Sequence, residues 1–332
     1  MLWWALDAIR VRVTGRNARY SQVELELAWN PGPGADASFA AELLAGVPKA
    51  AQLWAPIGSV VLVAAGAGAH PGVKPAVDKV QELWPAAVVT VVDETVAALA
   101  GAGLDPEPAT CVVVHQDGLH TSVAVVAGRE AVAGGLATGG TRGLAQAVVE
   151  YLRDEHRLDA SLEQAWAALV HGGVFAPSST VPGPMPVRGS MITEDRVFPS
   201  QPGEVTLSPT ELRAVAAPAC QPVVGLVEQV LGEVPPETVR QATIGGLLLT
   251  GPHLPGAEDH LTGLTGLPAR RVVEPKAGLH RPQVLLDGVD RLLAENPPAP
   301  VIAEHRVDLS ETLRLLEKFG LRPPRDPNAD DR

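Results

Sequence analysis

The stretch CVVVHQDGLHTSVAVVAG, residues 111–128, decides how this chain folds. An apolar run, CVVV, leads into a polar turn, and a second apolar run, SVAVVAG, leads out of it. Two apolar runs joined by a short turn that contains Asp117 and Gly118 predict a β-hairpin. The turn is also rich in groups that bind ligands, since His115, His120 and Thr121 accompany Asp117. This hairpin is therefore the first candidate for a functional site.

Strand and helix patterns alternate on the N-terminal side of this hairpin. SVVLVAAG (59–66) and AVVTVV (87–92) are predicted to be strands, and residues 71–84 and 94–104 are predicted to be helices. This alternation is typical of an α/β domain with a largely parallel sheet. Earlier still, residues 2–13 and 23–27 alternate with period two, which predicts an additional hairpin.

The C-terminal side contains more helices. Helices are predicted at 139–156, 161–173, 208–234 and 257–266, and the third is expected to be interrupted at Pro218 and Pro222. Residues 176–190 are predicted to be a loop, short strands are expected at 191–198 and 204–207, and 243–251 is predicted to be a buried strand. An amphipathic helix is predicted at 307–321.

The composition excludes several classes of function. The chain has 332 residues, of which 46% are apolar and 19% charged, as in globular proteins. The net charge of −12 argues against nucleic-acid binding and against a general attraction to anionic lipid. The two cysteines have no metal-binding spacing, and no metal site is predicted. Neither a signal peptide nor a membrane-spanning run is recognised, so we expect a cytoplasmic protein.

Three stretches, in this order, resemble the family of the bacterial actin homologue MreB. VVDETVAALAGAGLDPEPATCVVV (91–114) is similar to the family's acidic loop, helix and strand into its second phosphate hairpin. TGGTRGLAQAVVEYLRDEHRLDASLEQAWAALVHGG (138–173) is similar to its paired helices beside the nucleotide. PPETVRQATIGGLLLTGPHLPGAEDHLTGLTGLPARRVVEP (235–275) is similar to its adenosine loop and the strand that follows. The collinear order of the three stretches carries the resemblance.

The resemblance implies an α/β, actin-like (ribonuclease H-like) fold with two related domains around a nucleotide cleft. The first domain is expected at 1–136 and the second at 137–295, with a small-subdomain insertion near 174–207. Residues 296–332 are expected to form a Pro-rich linker, an amphipathic helix and a disordered tail. The chain between the first hairpin and SVVLV is too short for the family's small subdomain of the first domain. That subdomain is therefore expected to be reduced or missing.

The resemblance also implies where ATP and Mg²⁺ would bind, and shows departures from the pattern. In the first hairpin Asp7 matches the family's acidic residue, but AIRVR replaces its Gly/Thr turn. In the second hairpin Gly118 and Thr121 match, whereas His115 replaces the aspartate on the metal side. His115 and His120 are predicted to be turn histidines rather than a metal pair, because the sequence offers no third ligand nearby.

Several acidic positions have two interpretations. Asp117 could replace the lost carboxylate or be a solvated turn residue. Asp93 and Glu94 match the family's acidic pair, which orients the attacking water, yet Glu94 would also be favoured at a helix N-terminus by the helix dipole. Glu163 matches a ribose-contacting glutamate, but Trp166 stands where the family has lysine, so a solvated glutamate is the alternative.

The adenosine loop LTGPHLPG keeps Gly251 but has Pro252 and His253 where the family has small glycines. Binding of ATP and Mg²⁺ is thus expected to be weak or absent. The predicted function is a divergent MreB-like cytoskeletal or scaffold protein in cell-shape or envelope organisation. The alternative is an actin-like ATPase with rebuilt phosphate loops that forms ATP-dependent filaments. The resemblance implies an ATPase, and the departures from its pattern predict weak or no ATP hydrolysis.

The expected partners are a second copy of the chain, another actin-like protein, or a membrane or envelope-complex protein. The expected location is the cytoplasm or the inner face of the membrane. Because one small subdomain is expected to be missing from a head-to-tail contact, the pure protein is not expected to form long nucleotide-dependent filaments.

Overall fold

The protein's structure, a computed structural model, describes most of the chain between residues 88 and 295 and parts of the first 87 residues. The described residues are 2–5, 8–13, 23–28, 59–64, 74, 77–78, 81–82, 85, 88–104, 110–118, 120–175, 183–192, 201–272 and 283–295. The predictions for Asp7, for the missing small subdomain and for the C-terminal linker, helix and tail lie outside these residues.

The first half of the chain forms two small sheets that contact each other. Its strands are β1 (Leu2–Ala5), β2 (Ala8–Val13), β3 (Val23–Ala28), β4 (Ser59–Ala64) and β5 (Val88–Asp93). Strands β1, β2 and β3 pair antiparallel in that order, and β4 and β5 pair in parallel. Because β1 contacts β4, the strands follow the order β3-β2-β1-β4-β5.

The second half repeats this order in one continuous sheet. Its strands are β6 (Cys111–Gln116), β7 (His120–Ala127), β8 (Glu130–Thr138), β9 (Leu158–Asp159), β10 (Met185–Met191), β11 (Pro202–Leu207), β12 (Leu247–Thr250) and β13 (Ala269–Arg271). Strands β6, β7 and β8 are antiparallel, and β12 and β13 join in parallel to give the order β13-β12-β6-β7-β8. Strands β9, β10 and β11 form a separate small sheet.

Helices surround the sheets. They are α1 (Glu94–Gly101), α2 (Gly140–His156), α3 (Leu162–His171), α4 (Pro209–Gly232), α5 (Pro236–Gly245), α6 (Ala257–Thr265) and α7 (Gln283–Glu295). Residues 74, 77–78 and 81–82, between β4 and β5, are also helical. The predicted alternation of strands and helices is thus confirmed for this part of the chain.

Helix α1 lies between the two halves. Seven of its eight residues are buried. On one side Ala97 and Ala98 join an apolar cluster with β4 and α7, and on the other Val96 and Leu99 pack on the second sheet. Helix α1 follows β5 directly and contacts β6 and β7. Its N-terminus therefore lies at the β6–β7 hairpin, where the functional site was predicted.

Helix α4 is continuous, which corrects the predicted interruption at Pro218 and Pro222. Both prolines lie inside the helix, and a capping box between Ser208 and Glu211 begins it. Packing against β7, β8, α2 and α6 compensates for the two hydrogen bonds that proline removes. Among the described residues, α4 is long and apolar enough to cross a membrane; a third of its most apolar window is buried in the protein, where one face packs on the second sheet and on α2 and α6.

Two other element boundaries differ from those predicted. Strand β10 occupies part of the predicted loop 176–190, because pairing with β9 and β11 overrides its Pro and Gly content. Helix α5 continues to Gly245, where the sequence predicted a strand. The predicted domain boundary between residues 136 and 137 falls inside β8, and β6 to β8 share a sheet with β12 and β13. We therefore propose that the second domain begins before β6.

The crossing of α1 and α7 gives a first prediction. A Cβ atom on Gly288 would lie 1.8 Å from the carbonyl oxygen of Ala97, a backbone atom that cannot move aside. Gly288→Ala should therefore destabilise the protein by about 1–3 kcal/mol, as overpacking does. Gly143→Ala, in α2 with nothing within 4 Å of its Cβ, is the matched control and should not destabilise. Equal midpoints of the two variants in urea denaturation would contradict this packing.

Candidate functional site

The candidate site is built around the β6–β7 hairpin. Gln116 and Thr121 form the last pair of the ladder, so the connection is a tight turn. Within it, the amide of Asp117 donates to the carbonyl of His120 over 3.0 Å, and the amide of His120 donates to Asp117 Oδ1 over 2.9 Å. The aspartate side chain thus stabilises the turn, which gives a structural reason for this residue type.

The N-terminus of α1 faces this hairpin. Asp93 is the N-cap residue, and its side chain accepts a 2.8 Å hydrogen bond from the amide of Thr95. Glu94 is the first residue of the helix and is only 3% exposed. Of the acidic pair, Asp93 caps the helix, and Glu94 is directed into the protein.

The carboxylate of Glu94 is surrounded by hairpin side chains. His120 Nε2 lies 2.9 Å from Glu94 Oε2, and the hydroxyl of Ser122 donates to the same oxygen. His115 Nε2 lies 3.7 Å from Glu94 Oε1. Both histidines are at most 4% exposed. A buried carboxylate is costly unless it is paired, and here both oxygens face imidazole nitrogens.

The pKa of the Glu94 carboxyl agrees with this arrangement. Burial by itself raises the pKa of the Glu94 carboxyl, but the charge and hydrogen bond of His120, with smaller contributions from His115 and Ser122, outweigh it and hold that pKa below its usual value. Glu94 is therefore ionised at neutral pH.

The second nitrogen of each histidine also has a partner. His115 Nδ1 lies 3.0 Å from Thr250 Oγ1, at the end of β12, and His120 Nδ1 lies 3.2 Å from Asp117 Oδ1. Thr250 therefore orients His115, whose other nitrogen faces Glu94, and the ring of His120 is approached by both Asp117 and Glu94. The chain of contacts connects β12, β6, α1 and β7.

The N-terminus of α2 closes against the same hairpin. The amides of Thr141 and Arg142 donate to the carbonyls of Asp117 and Gly118 over 2.8 and 2.7 Å. Gly140 permits this approach, because a Cβ there would lie 2.6 Å from the Asp117 carbonyl oxygen. The first amides of a helix are its usual anion-binding groups, and two of them are already satisfied by backbone carbonyls.

The loop after β12 packs against the end of β6. Gly251 has a φ of +86°, and a Cβ there would lie 2.0 Å from the carbonyl oxygen of Gln116. His253 is buried, and its Nε2 lies 3.1 Å from the carbonyl oxygen of Val114, so this nitrogen carries the proton and donates. His253, which stands where the family has a small glycine, is thus packed inside the protein.

A small cavity lies beside this loop. Its volume is about 40 Å³, and it is lined by residues of β6, α2, α4 and α6, together with Phe175 and His253. The ring of Phe175 stacks on His260 with centroids 4.1 Å apart. A space of this size has room for water molecules.

Comparison with known proteins decides the family. A profile of the MreB/Mbl protein family matches residues 32–281. The chain belongs to the MreB/Mbl family. No curated protein matches it in sequence.

Solved structures agree with this membership. MreB5 of Spiroplasma citri bound to ADP has a TM-score of 0.65 at 17% identity, over 89% of this chain and 98% of that one. MreB5 bound to AMPPNP has a TM-score of 0.64 at 16% identity, over 96% and 98% of the two chains. The MamK double helical filament has a TM-score of 0.56 at 16% identity, over 80% and 78%. The fold of this MreB/Mbl family member is thus actin-like, as predicted.

The structure brings together some of the predicted site residues. Glu94, Asp117, Gly118 and Thr121 lie in or against the β6–β7 hairpin, and Gly251 packs on the end of β6. Glu163 lies on the exposed side of α3, whereas Trp166, where the family has lysine, is buried in the core. A ribose-binding role for Glu163 stays a prediction.

Two predictions about the hairpin are corrected. His115 and His120 are not turn histidines: they lie in β6 and β7 and are buried. Asp117 is not a solvated residue either, since its side chain is 14% exposed and accepts from His120. Sequence reasoning also missed Ser122 and Thr250. Strand pairing brings Ser122 to Glu94 and Thr250 to His115, over 28 and 135 residues of sequence, so neither contact has a local signal.

The burial of His253 predicts a pH dependence. Burial lowers the pKa of His253 from 6.5 to about 4, helped by the charges of Arg271 and His115 and opposed by its bond to Val114. Between about pH 4 and 6.5, His253 therefore binds a proton in the unfolded chain but not in the folded chain. The free energy of unfolding consequently falls as the pH is lowered from about 6.5 to 4. His253→Gln should flatten this decline by up to about 3 kcal/mol. Urea denaturation across this range tests it, and the exposed His171→Gln is the control that should keep the wild-type slope.

Proposed function

We propose that this MreB-family chain is a cytoskeletal scaffold, acting in cell-shape or envelope organisation, whose assembly does not depend on ATP. The observation that carries the proposal is the closed hairpin. The amides of Thr141 and Arg142 already donate to carbonyls of the β6–β7 turn, and the ionised Glu94 lies beneath it. An incoming phosphate would have to break these hydrogen bonds and approach a buried negative charge.

The first hairpin supports the same conclusion. Ala5 of β1 pairs with Ala8 of β2, so two residues connect the strands. A phosphate cradle needs several consecutive amides that point at the oxygens, and only two residues separate these strands in the sequence. Together with the closed second hairpin, this supports weak or absent binding of a nucleoside triphosphate with its Mg²⁺.

One observation favours the alternative function. Both MreB5 structures hold a nucleotide, and by sequence resemblance Asp93 and Glu94 match the family's acidic pair. An ATPase with rebuilt loops would use Glu94 to orient water and Asp117 beside the phosphates. In this chain, however, Asp93 is used as a helix cap and Glu94 is paired with histidine, so neither side chain is available without rearrangement.

The partners follow from this function. A scaffold assembles with a second copy of the chain or with another actin-like protein, and an envelope-complex protein at the inner face of the membrane is a further partner. The net charge of −12 opposes close stacking of identical subunits at low salt. The pure protein should consequently form only short oligomers. Assembly should be stronger when a partner is present or the salt concentration is raised.

Nucleotide affinity is the direct test. We expect no binding of Mg-ATP tighter than about 100 µM, near −5.5 kcal/mol, in isothermal titration calorimetry. MreB5 of Spiroplasma citri, whose structure holds AMPPNP, is the positive control in the same buffer. Low-micromolar affinity in this chain would sink the proposal and favour the ATPase.

Assembly is the second test. Pelleting and negative-stain microscopy should give the same distribution of monomers and short oligomers with Mg-ATP, with ADP and without nucleotide. The reason is that the hairpin is closed by contacts that need no ligand. If long protofilaments appear with ATP and are lost with ADP, the protein is a nucleotide-driven polymer instead.

A further inference from the structure

The side chains around the β6–β7 turn form a donor set that the proposed function leaves without a ligand. The geometry points to a binding site for a divalent transition-metal ion of the zinc class, held by Glu94, Asp117 and His120 in the absence of any nucleotide. One ligand atom from each of the three lies within 4.8 Å of the others. The inference rests on the proposed function in one respect, since a bound nucleotide would compete for this region.

The donor types select the metal. Imidazole nitrogen combined with carboxylate oxygen suits Zn²⁺, Co²⁺ and related ions, whereas Mg²⁺ prefers oxygen ligands and keeps much of its water. Bonds of about 2.0–2.2 Å require ligand atoms within about 4 Å of one another, so the three groups must close by about 1 Å. The ion would take the place of the hydrogen shared by His120 and Glu94, and the displaced proton leaves to the buffer.

The surroundings already orient the ligands. Ser122 donates to Glu94, and the Asp117 side chain is fixed by the amide of His120. His115 approaches the other oxygen of Glu94 and is itself held by Thr250. Such outer contacts fix the direction of ligand side chains in metal sites. His115 is thus a positioning residue that can become a fourth ligand if its ring moves closer.

The site is partly buried and distinct from the cysteines. Glu94 and His120 are each 3% exposed, while the Asp117 side chain is 14% exposed and is the ligand of the three that reaches solvent most. Burial raises the pKa of both Cys111 and Cys220 to about 11, so neither thiol is a ready thiolate ligand. A bound ion would join α1 to the β6–β7 hairpin and so tie together the two halves of the molecule.

The experiment uses the full chain, freed of metal with a chelator. Zn²⁺ is titrated by calorimetry, and Co²⁺ by its visible absorption, which reports low-coordinate nitrogen and oxygen ligation. We expect one equivalent of each ion to bind and the melting temperature to rise with Zn²⁺ concentration. His120→Gln and Glu94→Gln should weaken Zn²⁺ binding by more than about 100-fold, and His115→Gln by about 10-fold. His171→Gln, an exposed histidine on α3, should change nothing.

The outcomes separate this inference from the proposed function. Absence of one-to-one binding by the wild type, or equal affinity in His120→Gln, overturns the metal site. Circular dichroism shows whether the metal-free variants fold. If they do not, the visible spectrum of Co²⁺ bound to the wild type tests the site, because it reports whether the ion has low-coordinate nitrogen and oxygen ligation. Mg-ATP is titrated into the metal-free protein in parallel: low-micromolar binding there defeats the proposed function, whereas failure of Zn²⁺ alone defeats only this inference.

Discussion

The burial of one carboxylate constrains the rest of the structure. Glu94 begins α1 and lies under the β6–β7 hairpin, where an unpaired charge would be too costly to keep. Its partners come from different elements, because His115 belongs to β6, while His120 and Ser122 belong to β7. The imidazole of His115 extends the network to Thr250 on β12. Helix, hairpin and neighbouring strand must all be in place for the charge to be compensated, so the network makes the centre of the molecule cooperative.

The actin-like fold and the polar contacts of the β6–β7 hairpin have separate physical origins. The fold depends on a repeated strand order and on α1, whose small residues allow the sheets and α7 to approach closely. None of these contacts uses a nucleotide. In the β6–β7 hairpin, the turn is held by hydrogen bonds within the protein. In fold the chain is similar to MreB5.

Much of the fold could be predicted from local pattern. The unbroken apolar runs of β4 and β6, and the helical spacing in α2, α3 and α6, are visible in the sequence because local period and burial agree there. Prediction was wrong where tertiary contacts outweigh propensity. Two prolines suggested a break in α4, but packing on the second sheet keeps that helix continuous. Proline and glycine suggested a loop at β10, which pairing with β9 and β11 makes a strand.

The sequence by itself determined the order of most elements and the family, and it predicted the positions that depart from the family's phosphate pattern, since these depend on which residue stands where. It also indicated Glu94, Asp117 and Gly251 as residues of interest. Only the tertiary structure decided what these residues do. The histidines of the hairpin, 21 and 26 residues after Glu94, reach its carboxylate only because α1 packs under β6 and β7. Contacts between distant segments have no local signature, so a turn that looked solvated from its sequence is a buried, charge-compensated cluster in the folded protein.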